Sequence, residues 1–220
     1  MKNIRILFLT CISLITISCL SKNKEERKLV IESETVQNLQ KYETAYFASG
    51  CFWCVEAIFE SVKGVKEVVS GYSGGTEKNP TYQQVGSGNS THAEAVEVYY
   101  NPKEISYFKL VQVFFGSHDP TTLNRQGPDS GTQYRSIAFY KNKDEKNSIE
   151  KYITALKESK LYNRPIVTKV IAFTKFYEAE NYHQNYERLH PNNSYIRNVS
   201  IPRLNRFKEN FPEYLKNSKH

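Results

Sequence analysis

The segment Gly50-Cys51-Phe52-Trp53-Cys54-Val55-Glu56 places two thiols three positions apart, one helical turn. A β-type run from Thr44 to Ala48 leads into it, and Phe52, Trp53, Val55, Ile58, Phe59 and Val62 then recur at helical spacing up to Gly64. Cys51 is therefore expected where a strand passes into the first turn of a helix. Unpaired N–H groups and the positive end of the helix dipole at such a place favour thiolate over thiol. Two large aromatic residues between the sulfurs suit a nucleophile that works on something small and apolar. A thiolate attacking a polarised heteroatom needs a proton donor for the oxygen involved. Glu94, flanked by Ala93, Ala95 and Val96 near a strand start, fits that task if burial raises its carboxyl pKa. Its competing reading is a strand residue turned to solvent, as expected for Glu97. Tyr82 and Tyr134 each border a Gly-rich polar loop, and their hydroxyls could donate to an oxygen held against the thiolate. Asp129, inside the run Asn124 to Ser136, could orient such groups or simply cap a turn.

These residues need a scaffold. Val65–Ser70, Ala93–Tyr100, Arg135–Tyr140 and Val167–Phe173 read as further strands, and Gly71–Gly75 as a loop. Helices are expected over Pro80–Val85, Tyr107–Phe115, Lys143–Ser159 and Ala179–Leu189, with a last one from Pro202 that packs on the domain and frays. Thr121–Thr132 reads as a polar loop. Strands and helices alternate, but several connections are too short for a regular parallel winding. The fold class is therefore α+β: a single domain, a mixed β-sheet flanked by helices in a two-layer α/β sandwich, elaborating a ferredoxin-like plan.

The N-terminus belongs to another physical class. Lys2 and Arg5 precede an almost wholly apolar or small run from Ile6 to Ile17, which reads as a signal peptide over residues 1–18. Cys19 directly after it resembles a lipoprotein cleavage site, so lipidation at Cys19 and export to a membrane-anchored or periplasmic location are expected. Residues 19–41 are a polar tether, residues 42–200 the domain and residues 201–220 its C-terminal helix and tail. With Cys11 removed and Cys19 lipidated, only Cys51 and Cys54 remain of the 4 cysteines, which is no disulfide framework. The formal charge of +7 lacks the clustered Lys/Arg stripe of a nucleic-acid footprint, so no nucleic-acid partner is expected.

Gly50-Cys51-Phe52-Trp53, His92-Ala93-Glu94, the Asn124 to Ser136 run and Ala179-Glu180-Asn181-Tyr182-His183-Gln184 occur in an order and at spacings that resemble the A-type peptide methionine sulfoxide reductases. The similarity runs from about Tyr42 to about Tyr195. It implies that Cys51 is the nucleophile on the sulfoxide sulfur and Glu94 the acid toward its oxygen. It further implies that Tyr82 and Tyr134 hold that oxygen with Asp129 as support, and that Phe52 and Trp53 pocket the S-methyl group. The substrate would be the S epimer of methionine sulfoxide, free or in oxidised proteins. The family needs no metal and no bound cofactor, only an external thiol reductant such as thioredoxin, and the chain is expected to act as a monomer.

Two departures from the commonest family pattern matter. Cys54 stands where glycine usually follows Phe-Trp, and no cysteine occurs beyond position 54, where many members carry resolving thiols. Cys54 is therefore the expected resolving residue, forming a disulfide with Cys51; the alternative is a one-cysteine cycle with an external thiol and Cys54 as a small buried apolar residue. Three rival readings exist. A thioredoxin-like disulfide oxidoreductase explains the thiols but gives Glu94 no task; a metal-binding lipoprotein has only His183 and His190, seven apart, to complete a site with the two thiols; a non-catalytic binding lipoprotein explains export but neither Cys51 nor Glu94.

Overall fold

The computed structural model describes residues 38–216. The expected signal peptide, the expected lipidation at Cys19 and most of the expected tether therefore lie outside the described residues. The chain divides into two units, Met1–Lys41 and Tyr42–His220. Of the first, only residues 38–41 are described, where the Lys41 ammonium donates to Asn38 Oδ1 at 2.6 Å. All that follows concerns the second unit.

Strands β1 (Glu43–Ser49), β2 (Val65–Ser73), β3 (Ala93–Tyr100) and β6 (Ser136–Tyr140) lie in the order β6-β1-β3-β2, every neighbouring pair antiparallel. Helix α1 (Phe52–Glu60) connects β1 to β2, and α3 (Tyr107–Gly116) lies on the way from β3 to β6. This is the βαββαβ order of the expected ferredoxin-like plan. Strand β7 (Lys169–Ala172) adds parallel to β6, and β8 (Phe176–Glu178) antiparallel to β2, which makes the sheet mixed.

Alternation along β1 gives the sheet its two faces. Ala45 and Phe47 point into the main core with Val55, Ile58 and Phe59 of α1 and Phe114 of α3; the Phe47 ring lies 5.3 Å from Phe59 and 5.1 Å from Phe114. Tyr46 and Ala48 point the other way into a smaller cluster, where Phe173 stacks on Tyr46 at 3.7 Å. Caps fix the helix starts. Ser106 accepts the Lys109 N–H at 3.3 Å ahead of α3, and Thr81 with Gln84 forms a capping box on α2 (Tyr82–Gly86). Helix α4 (Lys143–Glu158) carries Asp144 and Glu145 in its first turn and Lys157 in its last, both matched to the dipole.

The structure departs from the expected elements in three places. Strand β2 runs on through Gly71, Tyr72 and Ser73, expected as loop, because these residues pair with β3 on one side and β8 on the other. Gly71 is what lets β8 in: a Cβ there would stand 2.3 Å from the Phe176 ring and 2.4 Å from the Tyr177 carbonyl. The Thr121–Thr132 loop folds back as a small hairpin, β4 (Arg125–Gln126) with β5 (Asp129–Ser130), followed by a 3₁₀ turn over Thr132–Tyr134.

The expected helix over Ala179–Leu189 does not form. In its place are a 3₁₀ turn over Asn181–His183 and a short helix, α5 (Tyr186–Leu189). Asn185 breaks the run at φ 58°. Gln184 is the cause: its amide accepts the Ser70 N–H at 2.9 Å and donates to the Ser70 carbonyl at 2.9 Å and the Ala179 carbonyl at 3.0 Å. Asn185 N–H donates to the buried Glu56 carboxylate as well. Side-chain links to the sheet and to α1 thus replace an i→i−4 ladder. At the C-terminal end, a π-helical turn over Ile196–Ser200 enters α6 (Ile201–Asn210). Phe207 of α6 is fully buried, the Tyr214 hydroxyl donates to Gln112 Oε1 at 2.8 Å, and Leu215 bridges to Val62. The chain is thereby pinned to α1 and α3 beyond the last helix.

Candidate active site

The turn from β1 into α1 passes through Gly50 at φ +95°, a conformation other residues resist. Space forbids a side chain too: a Cβ would stand 2.7 Å from Gln126 Cβ and 3.3 Å from Arg203 Nη1. Cys51 follows as the N-cap of α1, as expected, and Cys54 lies one turn on. Both are free and buried, close enough for each to shift the other's ionisation.

A cavity of about 330 Å³ opens beside them. Cys51, Phe52, Trp53, Tyr82, Glu94, Asp129 and Tyr134 all line it, so every expected catalytic or substrate-binding residue but Cys54 meets in one small space. Glu94 points inward from β3, only 2 % exposed, and its Oε2 accepts the Phe52 N–H at 3.0 Å. The solvent-facing reading of Glu94 is thereby discarded; Glu97 instead accepts from the Tyr46 and Tyr99 hydroxyls. Burial pushes the Glu94 carboxyl up to about 8, opposed by the Phe52 N–H and helped by Asp129 and Cys54. It is therefore protonated, a proton donor, at neutral pH.

Tyr82 is raised to about 12 by burial and then by the charges of Glu94 and Cys51, and Tyr134 is raised further for the same reasons. Both phenols stay protonated and face the acid and the nucleophile. Tyr82 is set by Glu180, whose carboxylate accepts its N–H at 2.9 Å and the Tyr72 hydroxyl at 2.9 Å. Asp129 does more than cap a turn. It accepts the Tyr195 hydroxyl at 2.5 Å, and that same hydroxyl lies 3.7 Å from Cys54 Sγ.

The aromatic wall is equally built. Phe52 is fully buried between Tyr72, Tyr82 and His183. Trp53 stacks on Tyr186 at 3.9 Å, and its indole N–H donates to His183 Nδ1 at 3.2 Å. His183 thus orients a pocket wall instead of serving as half of a metal pair with His190. Among the described residues no group of three or more His, Cys, Asp or Glu converges to hold a metal.

The thiol pair corrects one expectation. The helix start does not favour thiolate on Cys51: burial, then the Cys54 contact and Glu94, push its thiol well up. Cys51 makes no side-chain capping bond, and the nearest helix donor, Phe52 N–H, is already taken by Glu94. The negative charge settles on Cys54, lowered to about 6 by its contact with Cys51, then by Arg203, Ser200 and Tyr195 against the cost of burial. The two thiols titrate as one pair, with the first ionisation favoured at its Cys54 end.

Sequence reasoning missed Tyr195, Ser200, Arg203 and His183 in these roles, as well as Asn193 and Ser194 at the rim of the cavity. Tyr195 is hidden among 16 tyrosines after an Asn-rich run, and Arg203 among 30 basic residues.

A buried thiol pair, a neutral carboxyl and two phenols around a small aromatic-walled space define a thiol-dependent reductase that strips oxygen from a compact guest. Comparison with known proteins narrows this class. The family profile described as peptide methionine sulfoxide reductase matches residues 43–215. Peptide methionine sulfoxide reductase MsrA 1 of Rhodopirellula baltica is 48% identical over 176 residues, covering 80% of this chain and 91% of the relative. Its counterpart in Haloquadratum walsbyi is 46% identical, over 79% of this chain and 98% of the relative. Among solved structures, reduced Mxr1 from Saccharomyces cerevisiae superposes with a TM-score of 0.64 at 33% identity, covering 70% of this chain and 88% of that one. Methionine sulfoxide reductase A of Corynebacterium diphtheriae gives 0.61 at 34% identity, covering 68% and 75%. The chain belongs to the peptide methionine sulfoxide reductase family.

Proposed function

We propose that this enzyme reduces the S epimer of methionine sulfoxide, free and in oxidised proteins, to methionine. The observation that carries the reading is a carboxyl held neutral in the same small cavity as a nucleophilic sulfur. Phe52 and Trp53 take the S-methyl group, and the Tyr82 and Tyr134 hydroxyls donate to the sulfoxide oxygen. Cys51 passes its proton to the Cys54 thiolate as its own sulfur attacks the sulfoxide sulfur. The oxygen receives the Glu94 proton and moves to the Cys51 sulfur. Methionine leaves, with Cys51 as sulfenic acid and Glu94 as carboxylate; the sulfoxide sulfur has gained the two electrons that Cys51 lost.

Cys54 then resolves the sulfenic acid: its sulfur attacks that of Cys51, the S–S bond forms as the S–O bond breaks, and the proton it took from Cys51 leaves with the oxygen as water. The polar surroundings of Cys54 (Tyr195, Ser200 and Arg203) suit a working thiolate and are wasted on an apolar filler. The resulting Cys51–Cys54 disulfide is returned to thiols by a thioredoxin-like reductant. Cys54 is 1% exposed and Cys51 lines the cavity, so the reductant meets the disulfide from the cavity side. The Ile6–Ile17 run and Cys19 support export and a lipid anchor, which would set repair outside the cytoplasm.

Mass spectrometry after one equivalent of methionine sulfoxide, with no reductant present, tests the reading. Wild type is expected to lose two hydrogens as the disulfide forms, whereas Cys54→Ser gains one oxygen and stops. An unmodified wild-type protein, or a Cys54→Ser variant that recycles with thioredoxin at full rate, contradicts it.

A further inference from the structure

The motif His92-Ala93-Glu94 supplies the acid and leaves its histidine without a task. His92 is only 1% exposed, and both of its ring nitrogens are engaged. Nδ1 accepts the Gly75 N–H at 3.2 Å, which places the ring proton on Nε2; that nitrogen donates to the Glu77 carbonyl at 2.9 Å. The ring lies so close to Gly75 that a Cβ there would stand 2.5 Å from His92 Cδ2. Gly75 and Glu77 open the connection from β2 to β3, and His92 ends it. One side chain therefore fastens the two ends of that connection together.

The fastened ends carry both phenols. Glu77 reinforces the junction: its carboxylate accepts the Ser90 hydroxyl at 3.1 Å and the Thr91 N–H at 3.0 Å. The Thr91 hydroxyl oxygen in turn accepts the Thr76 N–H at 3.0 Å. Tyr82 stands on α2, inside the stretch that this junction closes. Tyr134 is tied to the same place by both of its neighbours. Arg135 Nη2 donates to the Gly74 carbonyl at 3.2 Å and the Thr91 carbonyl at 2.8 Å, and Gln133 Nε2 to the Gly86 carbonyl at 3.4 Å. Glu94 depends on the junction less, because it pairs with Tyr72 of β2 and holds the Phe52 N–H.

We propose that His92 is a positioning residue that seats the Tyr82 and Tyr134 hydroxyls against the sulfoxide oxygen. The inference rests on the reading above, in which those two hydroxyls donate to that oxygen. Without the ring, the Gly75 N–H and the Glu77 carbonyl lose their partner, and a long connection closes on fewer bonds. The phenols then lose their fixed aim. A hydrogen bond to the sulfoxide oxygen gains most as charge builds there, so misplaced donors slow the attack more than they weaken binding. Resolution by Cys54 uses neither phenol and keeps its rate.

The test is single-turnover methionine formation in wild type, His92→Phe and His92→Asn. Each change is made with both phenols present and again in a background carrying Tyr82→Phe and Tyr134→Phe. With the phenols present, His92→Phe is expected to slow methionine formation roughly 10- to 100-fold, the half-saturating sulfoxide concentration little changed. In the background without the hydroxyls the same change costs no more than about twofold, because the two sets of residues act as one. Equal losses in both backgrounds, or an unslowed His92→Phe, overturn the proposal, since general damage to the fold would act whichever phenols were present. His92→Asn serves if His92→Phe does not fold: its amide oxygen can take the place of Nδ1, but its amide nitrogen falls short of Glu77. A smaller loss, again confined to the background with both hydroxyls, is expected there; a wild-type rate or equal losses overturn the proposal as well. The underlying reading fails separately, if removing both hydroxyls leaves methionine formation unimpaired with His92 in place.

Discussion

At the scale of single residues, the chemistry depends on environments that reverse ordinary ionisation. Glu94 should be an acid because it is buried, and its removal tests that. Glu94→Gln is expected to slow methionine formation about 10²- to 10⁴-fold, the usual worth of a general acid, in single-turnover assays. In wild type the same step should weaken as pH rises through about 8, where the carboxyl ionises. Stability carries the opposite sign to a salt-bridged carboxylate. The folded-state pKa lies above the unfolded one, so the native state binds the extra proton; the associated stability is complete below about 4.5 and is lost as pH rises through about 8. Glu94→Gln should therefore melt higher than wild type at pH 8 and alike at pH 4.5, in calorimetry. Cys51, Phe52, Trp53, Glu94, Tyr82, Tyr134 and Asp129 were legible in the sequence because each sits in a local motif. The ionisation of the thiol pair was not. It follows first from burial and the influence of each sulfur on the other, and then from Arg203, Ser200 and Tyr195, more than 140 positions away.

At the scale of elements, the segment from Ala179 to Leu189 decides how the aromatic wall is held. Apolar periodicity made β1, β3, α1 and α3 readable nearly to the residue, since their packing follows their pattern. The 179–189 segment has a helical pattern too, but Gln184 and Asn185 bond to Ser70 and Glu56, and no local rule announces partners over 100 positions away. Gln184→Ala would leave the buried Ser70 N–H unpaired, the Ser70 carbonyl keeping the Ala179 N–H, at a cost of about 1–3 kcal/mol by urea unfolding. It should also loosen His183, the acceptor of Trp53. Trp53 is the only tryptophan, so its emission reports on the pocket directly. A red-shifted emission and a raised KM are expected together in Gln184→Ala; a raised KM with unchanged emission would detach the wall from that segment.

At the scale of the molecule, the sheet, the two crossing helices and the C-terminal helix close around one thiol pair. The α+β class and the ferredoxin-like strand order were readable from alternation and connection lengths. A C-terminal helix packed on the domain was readable as well; that the chain stays pinned through Leu215 instead of fraying was not, because α6 is strongly charged and only Phe207 and Leu204 mark its core-facing side. Phe207→Ala is expected to cost about 3–5 kcal/mol, seen as a lower melting temperature, because the fully buried ring packs with Phe211 at 5.2 Å. Truncation at residue 200 should remove cooperative unfolding altogether; an unchanged melting transition would contradict the pinning of α6.

The most direct measurement is reduction of each epimer of methionine sulfoxide by the purified protein with dithiothreitol. The account predicts consumption of the S epimer alone, abolished in Cys51→Ser. Equal consumption of the R epimer, or turnover that survives in Cys51→Ser, would contradict it.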